Sequence, residues 1–281
     1  MKIKPVTLNF FSQYKSIFRE MSLLPALFAS IGLLFAPLIF ASDSSPSPIS
    51  KISTTQAENK RVKPSIPFPD NHRCKKTLNY HTYLAGVNIG ELTRIIDWQE
   101  QQAHVDSAGK LSLLGVKAIF EQQTVLIWSP KFGAFVPSSS KQTLEGFKDR
   151  KMKTSFSDDG TKSRVILDGK PQEFDNEGMP LADINTVSTA IRYALLNDIK
   201  DIKLYRQGRN KIKPLHFQVQ GLDKIKTKTW GEIPAYRVYE VGKYKKVQLW
   251  FSPDFDYQLV KARYDTVLNV TVELVKKHVE C

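Results

Sequence analysis

The sequence predicts a mainly β protein: an antiparallel curved sheet or β-barrel-like domain with one packed α-helix. Three observations predict it. From Lys211 to Lys276 apolar residues recur at every second position: Leu215, Phe217 and Val219 alternate with His216, Gln218 and Gln220, and Val247, Leu249 and Phe251 with Lys246, Gln248 and Trp250. Successive side chains of a strand point to opposite faces, so this period of two gives each strand one buried and one wetted face. Short runs of this kind, punctuated by Gly, Pro and Asp, recur through the folded part. A single segment carries helical spacing instead. Many short strands with regular turns argue for a barrel or a strongly curved sheet, with a two-sheet sandwich as the alternative.

The C-terminal run reads as a five-stranded meander that ends with Leu268, Val270, Val272 and Leu274 alternating with Asn269, Thr271 and Glu273. Upstream, Thr77 to Leu84 is a strand, and Gly86 and Gly90 bracket a turn. Glu91 to Gln99 and Gln102 to Ala108 form a hairpin, and Leu111 to Val116 reads as a helical turn. Ala118 to Trp128 is a strand with Phe120, Val125 and Ile127 buried. Ser129-Pro130 and Gly133 turn the chain. Phe135-Val136, Lys151 to Phe156 and Arg164 to Leu167 are shorter strands, joined through Asp158-Asp159-Gly160 and Asp168-Gly169. Asp183 to Asn197 places Ile184, Val187, Ile191, Ala194 and Leu195 on one stripe, with Asp183 as a carboxylate cap and Asn197 at the end. That stripe reads as core.

The chain has 281 residues, 41% of them hydrophobic, which suits one domain with a sizeable core. An uncharged apolar run from Met21 follows Lys2, Lys4, Lys15 and Arg19 and ends at small or polar residues. This is the order of a secretory leader over residues 1–41, cleaved after Ala41, with an uncleaved membrane anchor as the rival. Residues 42–70, rich in Ser, Pro and Lys, read as a flexible linker. Residues 71–281 are then the β-rich domain, and its expected place is the periplasm. The two cysteines, Cys74 and Cys281, bracket that domain. In an oxidising compartment they read as one disulfide that ties its ends, worth roughly 4–5 kcal/mol on the chain-entropy argument.

Net charge is +13. Much of it falls between Lys200 and Lys246. Lys203, Arg206, Arg209, Lys224, Lys226, Lys228, Lys245 and Lys246 form a candidate patch for an anionic ligand. A solvated lysine face that protects strand edges is the simpler account of the same residues. The expected partners are lipid, lipopolysaccharide or an envelope protein, with membrane contact through the N-terminal segment. The expected compartment disfavours nucleic acid. The sequence offers no catalytic constellation: there is no nucleophile elbow and no phosphate-cradling glycine loop. His72, His81, His104, His216 and His278 are scattered without metal-ligand spacing, so no metal and no cofactor is expected. A glycan hydrolase with two carboxylates brought together only in space is the weaker alternative.

Several motifs resemble the DUF3108 family of exported bacterial proteins. They are Leu78-x-Tyr80 with Tyr83-x-x-Gly86-x-x-x-Gly90, Gly133-x-Phe135-x-Pro137, the segment Asp183-Ile184-x-Thr186-x-x-x-Ala190-Ile191-Arg192, Phe217-x-Val219-x-Gly221, and Leu249-Trp250-Phe251-Ser252-Pro253-Asp254. The resemblance spans about residues 76–275. Gln258-Leu259 stands where the family often has a proline. What the resemblance implies is a β-rich periplasmic domain of unassigned function, with no catalytic residues to carry over.

Overall fold

Two-residue turns set the architecture. Ala85 and Gly86 both take positive φ, 47° and 87°, as do Asp168 and Gly169, at 49° and 86°. Turns of that hand match the twist of the strands they join, so each folds its chain straight back as a hairpin. Repetition of such reversals gives a meander. A computed structural model describes residues 72–99, 101–113, 115–146, 149–242, 247–265 and 269–281. The predicted leader and linker, and the positions Lys245, Lys246 and Leu268, lie outside the described residues.

The strands are β1 (Lys75–Leu84), β2 (Val87–Gln99), β3 (Gln102–Leu113), β4 (Val116–Ser129), β5 (Ala134–Glu145), β6 (Arg150–Phe156), β7 (Lys162–Leu167) and β8 (Lys170–Asp175). A two-residue β9 (Leu181–Ala182) precedes helix α1 (Ile184–Leu196). Then come β10 (Asp201–Gln207), β11 (Ile212–Thr227), β12 (Gly231–Glu240), β13 (Val247–Ser252), β14 (Gln258–Tyr264) and β15 (Val270–Glu280). All belong to one 15-stranded sheet. The sheet is curved, open and antiparallel, except that β9 pairs parallel with β10. The predicted mainly β fold with one packed helix is thus observed. The five-stranded C-terminal meander is observed too.

Sequence neighbours are sheet neighbours throughout, with one exception. The first and last strands, β1 and β15, pair in the middle of the order, while β8 and β9, consecutive in the chain, form its two edges. The Leu181 amide nevertheless donates to the Gly160 carbonyl at 2.8 Å, so chain and turn contacts bridge the seam without a ladder. The β1–β15 register ends at Lys75 opposite Glu280, which brings the next residues, Cys74 and Cys281, face to face. They form the expected disulfide, Cα to Cα 4.6 Å, across 207 residues.

Four local expectations change. Leu111 to Val116 is no helical turn: Leu113 pairs with Val116 around Gly115, which completes a β3–β4 hairpin. Gly90 is not a turn residue. It lies inside β2, where a Cβ would meet the Lys110 carbonyl oxygen at 2.1 Å, so the close approach of β3 requires glycine. In β4 the buried set is Phe120, Gln122, Thr124 and Leu126, while Val125 and Ile127 are half-buried on the other face. The polar pair takes the inner positions because the helix offers them partners. Finally, α1 has the caps read from sequence, with Asp183 accepting from the Thr186 amide, but it is buried beyond its apolar stripe. Asn185, Thr186, Thr189 and Arg192 are also buried.

Candidate functional site

The inner face of the sheet has two chemistries. From β10 through β15 it carries Ile202, Leu215, Phe217, Val238, Leu249, Phe251, Val260, Ala262, Val272 and Leu274, none more than 8% exposed. From β2 through β6, ladder partners on the inner face are polar: Arg94 faces Ser107, Ser107 faces Gln122, and Gln122 faces Gln142. In the adjacent row Thr124 faces Ser140, which faces Thr154. All but Arg94 are buried. Burial of such groups is tolerable only where each finds a hydrogen-bonding partner.

Most of those partners come from the first turn of α1. One oxygen of Asp183 accepts from Gln122 Nε2 at 2.8 Å and from the Thr124 hydroxyl at 2.5 Å. The other caps the helix, accepting from the Thr186 amide at 2.8 Å and the Thr186 hydroxyl at 2.6 Å. Asn185 Oδ1 accepts from Arg94 at 3.2 Å and Ser107 at 2.9 Å, and its amide donates to the Val105 carbonyl and the Thr124 hydroxyl. A second Arg94 nitrogen donates to the Asn185 carbonyl at 3.1 Å. The network is a dock for the helix, and it saturates the Asp183 carboxylate. It leaves three buried polar atoms on the same face without a partner among the described residues: Arg94 Nε, Arg150 Nε and Thr154 Oγ1.

The polar half is also cationic. Burial pulls the Arg94 and Arg150 guanidiniums below their ordinary range, and Arg209 pushes Arg150 further the same way. Arg206, on β10 opposite Lys213, shares the strand face of Ile202 and is lowered by burial as well.

A second ionic cluster pins the other end of α1. Arg192 donates to Asp256 Oδ2 at 2.7 Å and to the Asp256 carbonyl at 2.9 Å, and Lys76 reaches the same Oδ2 at 3.1 Å. His72 bonds the other carboxylate oxygen. Burial alone would raise the Asp256 carboxyl, but Arg192 and Lys76 outweigh it and hold it below the usual carboxylate value. Burial lowers the Lys76 ammonium, with Asp256 opposing. Lys76 also donates to the Cys74 carbonyl at 2.9 Å, so helix, disulfide and the turn after β13 share one knot.

The basic patch predicted from sequence is not one surface. Lys203 is exposed and sits 3.5 Å from Asp201. Lys224 and Lys226 are exposed on the distal part of β11, with Lys224 3.4 Å from Glu232. Lys228 lies past the end of β11, its ammonium 3.7 Å from the Tyr83 ring centroid and 3.2 Å from the Gly86 carbonyl. Arg209 is half-buried in the β10–β11 turn. Arg206 belongs to the inner face. Sequence reading placed Arg206 with the lysines because all alternate along basic strands. Its shared parity with Ile202 and Leu204 was the available signal for the opposite face.

His81 and His216 lie in strands, half-buried, and His216 pairs with Asp201 at 2.5 Å. Among the described residues no group of three or more His, Cys, Asp or Glu side chains is placed to hold a metal. The profile of a family described as protein of unknown function, DUF3108, matches residues 79–275. No curated protein and no solved structure matches the chain.

Proposed function

Because the chain belongs to the DUF3108 family, whose function is unknown, we propose its role from the site: an exported, non-enzymatic β domain that binds an anionic component of the cell envelope on its inner face. One observation carries this. Where a packed sheet needs only apolar side chains, half of the inner face is polar and holds Arg94, Arg150 and Arg206. Cations partly removed from water bind anions more strongly than surface lysines do, since the local dielectric is lower. The apolar half is covered by protein atoms, so an apolar tail is not what the interior favours; a charged headgroup or an acidic protein segment is. The secretory leader supports the periplasmic setting.

The test is purification of the exported chain from envelope extracts, followed by mass spectrometry of what co-elutes. An anionic lipid, lipopolysaccharide or acidic partner retained at stoichiometric level supports the proposal. Recovery of neutral lipid alone, or of the chain from the cytosol with both thiols reduced, would falsify it.

A further inference from the structure

Arg206 is the group the fold explains least. The β9–β10 ladder sets it opposite Ala182, the residue before the helix-capping Asp183. On β10 it shares parity with Ile202, which is 6% exposed, and it is itself half-buried. Yet among the described residues it makes no ion pair and no hydrogen bond. The neighbouring acids are committed elsewhere: Asp183 accepts four hydrogen bonds, and Glu240 lies 3.6 Å from Lys213. Arg94 reaches Asn185 from the other side of Asp183 and keeps its Nε without a partner. Arg94, Arg206 and Lys213 against Asp183 and Glu240 leave one positive charge uncompensated.

A guanidinium withdrawn from water with no acceptor is costly, and proteins retain that cost where a ligand relieves it. Tyr264 on β14, 8% exposed, adds a hydroxyl with no hydrogen-bonding partner among the described residues. Burial lowers the Arg206 guanidinium and raises the Tyr264 phenol, and each group opposes the other's shift, as neighbours do.

We propose that Arg206, flanked by Arg94 and Tyr264, forms an oxyanion site on the inner face that takes the phosphate or carboxylate group of an amphipathic envelope molecule. The planar fork of arginine donates two parallel hydrogen bonds to such a group, and a phenol donates a third. The site rests on the function proposed above and gives it an address.

The experiment measures binding of dodecyl phosphate, dodecanoate, inorganic phosphate and phosphatidylglycerol vesicles to the disulfide-bonded domain by calorimetry. It compares wild type, Arg206→Gln, Arg206→Lys and the surface pair Lys224→Gln/Lys226→Gln. The expected result is that dodecyl phosphate binding weakens at least about tenfold in Arg206→Gln, the size of a lost charge-assisted hydrogen bond. Arg206→Lys should recover part of it, and the surface pair should change nothing. Inorganic phosphate binding as tightly as dodecyl phosphate assigns the site to a free anion; preference for the alkyl probe or the vesicles assigns it to a lipid headgroup. The thermal midpoint of Arg206→Gln should match or exceed that of wild type, because an unpaired buried charge is removed. A lowered midpoint would make Arg206 structural and overturn the proposal. Equal binding by wild type and Arg206→Gln overturns the site while leaving the function proposed above in place. Failure of every probe on wild type overturns both.

Discussion

The two halves of the inner face do different work with the same backbone. Strands β10 to β15 bury aliphatic and aromatic side chains, and that burial is non-directional: any well-filled arrangement of similar volume serves nearly as well. Strands β2 to β6 bury amides, hydroxyls and an arginine, which are satisfied only if α1 enters in one orientation. Asp183 must meet Gln122 and Thr124, and Asn185 must meet Arg94 and Ser107. The apolar half thus contributes most of the stability, and the polar half contributes the unique placement of the helix. The difference teaches that buried polarity in this fold is positional, and that the atoms it leaves unpartnered mark where something else is to bind.

Mutations should separate the halves, beginning with the largest effect. Phe251, 1% exposed in the apolar half, leaves a cavity when cut to alanine. Phe251→Ala should cost about 4 kcal/mol, read as a lowered midpoint in denaturant with an unchanged slope. Asp183→Ala should cost about 3 kcal/mol, because it strands the donors of Gln122, Thr124 and Thr186 and removes the cap. The two should differ in kind as well. Asp183→Ala should loosen α1 selectively, raising hydrogen exchange of its first-turn amides while the β13–β14 ladder stays protected. Uniform loss of protection across both halves would break the comparison.

Acid should act through the second ionic knot. The Asp256 carboxyl is held low in the fold by Arg192 and Lys76. A group with a depressed folded pKa contributes stability above its unfolded value, about 3.9 for aspartate, and that contribution is lost as pH falls through the folded value. Below about pH 4 the wild type should therefore lose stability more steeply than Asp256→Asn, although the variant is the less stable of the two at neutral pH. Parallel acid titrations of the two proteins, followed by circular dichroism, would remove this account.

Much of the architecture was legible because period-two alternation survives in β11, β13 and β15, and because Asp183 and Asn197 punctuate α1. The disulfide was legible from compartment and placement. Its partner geometry follows from the β1–β15 register, which no local pattern encodes. The polar half was illegible for a physical reason. Gln122 and Thr124 alternate with Glu121, Gln123 and Val125, so hydropathy assigns the inner face of β4 to Val125 and Ile127, the opposite of what is observed. Burial there is decided by hydrogen bonds to a helix about sixty residues away in sequence, and pattern does not see partners. Arg206 was read with the lysines for the same reason: charge alone does not reveal which face a strand residue occupies.

The smallest expected effect sharpens the comparison most. Lys224 and Lys226 are exposed, and Lys224 lies 3.4 Å from Glu232, also exposed. Exposed ion pairs contribute little, because water screens them and two long side chains must be held still. Lys224→Gln/Lys226→Gln should therefore shift stability by no more than about 0.5 kcal/mol, within the scatter of repeated thermal melts. Chain charge drops by two, so weak, salt-sensitive adhesion to anionic vesicles should fall, while saturable binding at Arg206 persists in salt. Were the double variant instead to abolish saturable binding, the outer face of β11 would be the ligand surface, and the unpartnered inner arginine would need a different account.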